Sequence, residues 1–139
     1  MELISPIHGK MIYKDDEIIN FVKGIPGFDN FKKYIIKEVE SNSPFYILQS
    51  VEDNDIGFII ISPFFIHNDY EVKLSEEIIK KLNIESPEDV LLYSIVTLNS
   101  KVEDITANLK APLVINIKNK KGEQYIIDKE KYSIKEKIY

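Results

Sequence analysis

Arginine and cysteine are both missing from this chain of 139 residues, and each absence closes off a class of chemistry. Without cysteine there is no disulfide framework, no thiol nucleophile and no thiolate metal ligand, a usage that fits a reducing compartment. All 18 basic residues are lysine. A compact ammonium cannot reproduce the planar two-pronged grip of a guanidinium on phosphate or guanine. Long apolar runs are missing too: Met1 to Lys10 holds none of signal-peptide length, and no later run approaches a membrane span. The expectation is a cytoplasmic protein that engages neither membrane nor nucleic acid directly.

What is present in excess is acid. The net charge is −5, and it is unevenly placed: residues 1–70 carry 6 Lys against 11 acidic residues, while residues 71–139 carry 12 of each. Such a chain is suited to a basic protein partner. The hydrophobic share, 44%, suffices for a core of its own, and no Ser/Gly/Pro-rich linker, repeat or low-complexity tract divides the chain. We therefore expect one domain spanning residues 1–139.

The strongest local signal is a hairpin. Phe45–Val51 and Gly57–Ser62 are β-branched and aromatic runs flanking the acidic turn Glu52-Asp53-Asn54-Asp55. The second run is nearly continuous apolar, the pattern of a strand buried on both faces, and Pro63 ends it. Upstream, short strands are expected at Lys10–Tyr13 and Glu17–Phe21, then a break at Gly24-Ile25-Pro26-Gly27, a short helical turn at Asp29–Lys33 and a strand at Tyr34–Glu38. Ser75 reads as the N-cap of a helix over Glu76–Leu82, with Glu76 and Glu77 in the first turn and Ile78, Ile79 and Leu82 as its buried stripe. Val90–Leu98 is the longest strand candidate. Leu113–Ile117 and Gln124–Ile127 are expected to form a second hairpin around Lys118–Gly122. Tyr132–Tyr139 reads as a short helix or a frayed tail. Seven or eight strands and one short helix predict a mostly β fold, a small antiparallel β-barrel or sandwich.

Catalytic and cofactor motifs are weak. Asp53-Asn54-Asp55 has the acidity of a calcium loop but not its spacing: Gly57 falls one place early and Phe64 stands at the twelfth position. His8 and His67 sit in no metal-ligand spacing, and no serine lies in a nucleophile elbow. Gly24-Ile25-Pro26-Gly27 has the outline of a phosphate-clamping loop, yet a proline lies inside it and the charge balance is wrong; a tight turn explains it. The basic island Lys110–Lys121 is explained by lysines guarding a sheet edge. Neither enzyme activity nor a metal or other cofactor is expected. Phe45, Phe58 and Tyr93 are expected in the core. Phe64, Phe65 and Tyr70 fall in the loop after Pro63, where they either cover the barrel end or anchor a partner.

Taken in order, Phe21–Phe28 with its Gly-Ile-Pro-Gly turn, Leu48-Gln49-Ser50-x-Glu52-Asp53, Phe58–Pro63, Tyr70, Leu74, Ile95-Val96-Thr97, Asn108-Leu109-x-Ala111-Pro112 and Ile115-Asn116 resemble the FliW family of flagellar assembly factors. The resemblance covers about residues 9–132, leaving 133–139 as a tail; the lysine-rich end from Lys129 is no part of the pattern. It implies a cytoplasmic, non-enzymatic regulator that binds the RNA-binding protein CsrA, relieving repression of flagellin translation, and that flagellin in turn sequesters. An alternative is an export chaperone for flagellin with no regulatory role; an enzyme with a hidden carboxylate pair and an RNA-binding barrel stand further off. For partner contacts the resemblance directs attention to Gln49, Ser50, Glu52 and Asp53 as polar rim and charge, and to Phe64 and Tyr70 as aromatic anchors. Asn108 and Asn116 complete the set, with fixing of strand ends as their other role, and Gln49 and Ser50 have cross-strand hydrogen bonding as theirs.

Overall fold

Eleven strands, two short α-helices and three 3₁₀ turns are seen in the computed structural model, which describes residues 1–6, 8–127 and 131–139. The chain opens with a two-stranded sheet of its own, β1 (Glu2–Ser5) against β2 (Gly9–Ile12). A 3₁₀ turn at Asp15–Glu17 leads to β3 (Ile19–Phe21), followed by β4 (Lys33–Glu38), β5 (Phe45–Ser50) and β6 (Gly57–Ile61), each antiparallel to the one before. Helices α1 (Pro63–Ile66) and α2 (Glu76–Lys81) come next, then a 3₁₀ turn at Pro87–Asp89 and the long strand β7 (Val90–Thr97). The chain continues through β8 (Thr106–Ala107), β9 (Leu113–Asn116), β10 (Lys121–Gln124) and β11 (Glu136–Lys137).

Pairing closes seven of these strands into a barrel. β7 joins β6 through Ser94 and Ile95 and joins β9 through Val90–Tyr93; β10 joins β9 antiparallel and β3 parallel. A ring with an odd number of strands cannot alternate direction all the way round, so one parallel pair is obligatory, and β3–β10 is that pair. The expected barrel is therefore present, antiparallel everywhere else in the ring. The last residues of β7 also carry β8, and β8 carries β11.

Strand alternation decides what fills the barrel and what lies outside it. Phe21, Tyr34, Leu48, Ile60, Leu113 and Ile115 form the central buried cluster, with Tyr46, Phe58, Tyr93 and Ile95 packed against it. The opposite faces of β4 and β5 present Ile35 and Ile47, which the β1–β2 hairpin covers with Leu3 and Met11. On the outside of β9, Val114 receives Ile78 of α2 and Leu82 at its carboxy-terminal cap. The β6 strand is less enclosed than its apolar run predicts: Gly57, Phe58 and Ile59 are half-buried.

Several expectations are corrected. The second hairpin pairs Leu113–Asn116 with Lys121–Gln124, three residues earlier than Gln124–Ile127. Gly122 is a strand residue because the Phe21 ring lies against it; a Cβ there would come 2.7 Å from that ring. Asp29–Lys33 is not a helical turn: the N–H groups of Lys32 and Lys33 donate to the Glu52 carboxylate, which satisfies them in extended backbone. Pro63 starts a helix as well as ending a strand, since its fixed φ and missing donor suit the first helical position. Phe64 and Phe65 accordingly lie on α1 rather than in a loop. The carboxy-terminal stretch is neither helix nor frayed: Tyr132 is buried and Glu136–Lys137 form β11. Lys129 lies outside the described residues.

Candidate functional site

The expected contact residues divide between the two ends of the β5–β6 hairpin. At the turn end, Gln49 and Ser50 are buried, at 1% and 0% exposure, and cannot serve as a polar rim. The Gln49 side-chain amide donates to the carbonyls of Ser50, Asn54 and Ile56 at 3.0–3.1 Å, and the Ser50 hydroxyl accepts from the N–H groups of Glu52 and Asp53 at 3.1 Å. These bonds shape the acidic turn. Glu52 is exposed, and its Oε1 receives Lys32 N–H at 2.6 Å and Lys33 N–H at 2.9 Å, fastening the turn to the start of β4. Those two backbone bonds, to Lys33 and then Lys32, hold the Glu52 carboxyl below the usual carboxylate range. Asp53 accepts from Asp55 N–H at 2.9 Å, while Asn54 and Asp55 project into solvent. What reaches the surface is a rigid acidic tip backed by buried amide and hydroxyl groups.

Behind the tip lies the Tyr34 ring, edge-on to Phe21 with centroids 5.6 Å apart. Burial, reinforced by the Glu52 charge, pushes its hydroxyl up to about 12. Tyr34 Oη, Ser94 Oγ and Asp89 Oδ2 are enclosed without a hydrogen-bond partner among the described residues, though Asp89 Oδ2 lies 3.4 Å from the Lys118 ammonium. They sit on the inner face of β4, in the middle of β7 and at the end of a 3₁₀ turn, so they do not converge. Among the described residues the carboxylates with a clear shift, Glu17 and Glu52, are both shifted down, Glu17 chiefly by its hydrogen bond to Lys37. Among the described residues no three His, Cys, Asp or Glu side chains gather as metal ligands would.

At the far end of β6, Phe64 and Tyr70 meet edge to face at 5.7 Å. Tyr70 is buried, and its hydroxyl donates to Leu109 C=O at 2.7 Å; burial raises its pKa beyond the range in which a phenol ordinarily ionises. Asn108 stands next to that carbonyl, its Oδ1 accepting from Lys110 and Ala111 N–H at 3.1 and 3.0 Å. Asn116 is buried at the other end of β9 and donates to Leu82 and Asn83 C=O at 2.8 and 3.2 Å, tying down the end of α2. Phe64 is 45% and Phe65 56% exposed. Phe64, Tyr70 and Asn108 thus come together, Asn116 is held apart from them by the length of β9, and the Gln49–Asp53 group lies at the opposite end of the hairpin.

A feature the sequence reading did not locate joins the aromatic end to α2. A groove of about 590 Å³ is lined by Phe64 and the stretch 70–74 together with Ile79, Ile84, Pro87, Val90 and Leu92, with Glu71, Glu85 and Lys73 among its charged residues. Its signal in the sequence was the pairing of Leu74 with the alternating Val90 and Leu92, both easily taken for ordinary core.

The architecture defines a small closed β-barrel with an acidic tip and an outer apolar groove. The family model for "FliW protein" matches residues 2–138. Flagellar assembly factor FliW of Clostridium novyi (strain NT) is 50% identical over 139 residues, covering 100% of this chain and 97% of the relative. The Clostridium tetani (strain Massachusetts / E88) protein of the same name is 48% identical over 139 residues, covering 100% and 96%. A crystal structure of the flagellar assembly factor FliW superposes with a TM-score of 0.91 at 35% identity, covering 100% of this chain and 97% of that one. The chain belongs to the FliW family and is a flagellar assembly factor.

Proposed function

We propose that this flagellar assembly factor works in the cytoplasm by binding two proteins in alternation, a CsrA-type translational regulator and flagellin, without catalysis. Family membership across the whole chain is the observation that carries the reading. The surface suits it: an acidic, arginine-free chain favours encounter with a basic RNA-binding protein, and an apolar groove offers flagellin a place to bury hydrophobic surface. The Glu52–Asp55 tip supplies the charge, with Asp55 free to pair while Glu52 also fastens the fold. Phe64 is the exposed aromatic anchor and Tyr70 its buried support.

The test uses labelled flagellin leader RNA bound to the regulator. Adding this protein should release the RNA, and adding flagellin should restore the RNA complex. Asp55→Lys should weaken the release about tenfold at low salt, since it reverses an exposed charge whose carboxylate accepts no hydrogen bond among the described residues. Undisturbed RNA, or a direct shift of the RNA by this protein alone, contradicts the reading. Binding of flagellin with no effect on the regulator leaves the export-chaperone role.

A further inference from the structure

The groove has one wall with the form of a strand and no sheet to belong to. From Tyr70 to Ser75 the chain runs without turn or bend, and exposure alternates: Glu71 and Lys73 face solvent while Val72 and Leu74 are half-buried. That is the period of an extended strand, yet no strand is formed. In extended backbone the N–H and C=O of one residue point to the same side, and successive residues alternate. Residues 71 and 73 are engaged from one side: Glu71 N–H donates to the Tyr132 hydroxyl at 2.9 Å, and Lys73 C=O accepts from the Tyr125 hydroxyl at 3.4 Å. The backbone groups of Val72 and Leu74 therefore face the other side, where no hydrogen bond engages them among the described residues.

We propose that the Val72–Leu74 edge, running along the apolar groove, accepts an extended peptide as an added strand. Its alternate apolar side chains enter the groove against Ile84, Val90 and Leu92. The inference rests on the reading that this protein acts by binding other proteins, and it specifies how one of them is held. Unpaired main-chain donors and acceptors are used only by a partner whose own main chain is free, which favours a strand over a helix. Charge sets a second feature of the occupant. Among the described lining residues Glu71 and Glu85 stand against one cation, Lys73, so the peptide carries a lysine or arginine beside its apolar residues.

The experiment selects linear peptides of about 12 residues from a displayed library on the full chain, then uses the best synthetic peptide as probe. The expected peptide alternates apolar and polar residues and carries a basic side chain. On saturation the Val72 and Leu74 amides should exchange with solvent at least about tenfold more slowly. N-methylation of alternate peptide amides should abolish binding in one register and spare it in the other. Glu71→Lys with Glu85→Lys, both exposed positions, should weaken binding about tenfold at low salt. Failure to enrich any peptide, protection confined to α2, or equal loss from both N-methylation registers overturns the proposal. The regulator and flagellin assays stand or fall separately from these outcomes.

Discussion

At the scale of single residues, the side chains that matter most for shape are polar ones used internally. Asn116 donates to two carbonyls at the end of α2, sharing Leu82 C=O with Asn119 and holding Asn83 C=O by itself, so Asn116→Ala should cost about 1–2 kcal/mol in urea unfolding. Gly122→Ala should cost about 1–3 kcal/mol, because the Phe21 ring must leave its place for the new methyl. Gly24 is more restrictive still: its φ is +70°, and a Cβ would sit 2.8 Å from Asp29 backbone, which cannot give way as a side chain would. Glu52 and Glu17 bind protons more weakly folded than unfolded, so their contribution is present above the unfolded carboxylate value, 4.5, and is lost as pH falls through the lower folded values. Glu52→Gln should therefore destabilise by on the order of 1 kcal/mol at neutral pH, discounted for solvent screening at this exposed group. The difference from the parent should shrink in unfolding curves taken below pH 4.5.

At the scale of elements, local signals were legible and remote ones were not. The α2 helix could be read because everything that specifies it lies within eight residues: the Ser75 cap, two acids in the first turn and a buried stripe. Ser75→Ala should cost about 1 kcal/mol in thermal unfolding, with little change in the barrel amides that exchange slowest. The β5–β6 hairpin was equally plain, both arms being apolar and β-branched around an acidic turn. By contrast, β8 and β11 are two residues each and exist only because distant chain lies beside them. The β1 strand escaped notice for a related reason: Glu2 and Ser5 dilute its pattern, and its buried Leu3 is matched by Met11 across the hairpin. Of the expected contact residues, Glu52 and Phe64 are exposed. For Gln49 and Ser50 the sequence left polar rim and cross-strand hydrogen bonding both open, because nothing in the pattern shows that three carbonyls and two amides around the turn claim them. Glu52 reaches back about twenty residues to Lys32, beyond any local pattern.

At the scale of the whole molecule, a closed ring removes most of the open strand edges that an acidic β protein would otherwise have to guard. The proposed partner contacts then fall outside the ring, at the acidic tip, the apolar groove and the extended segment beside it. Because the charge is spread over lysines and carboxylates without arginine, association with a basic partner should be steered more than locked. Raising salt from about 0.05 to 0.5 M should slow association far more than it speeds dissociation, a split that stopped-flow measurement resolves. The central claim, exchange between two protein partners, is tested most directly by calorimetric titration of this protein with the CsrA-type regulator, repeated after saturation with flagellin. The account predicts tight binding in the first titration and its loss in the second; unchanged heat of binding with flagellin present, or no binding in either titration, would contradict it.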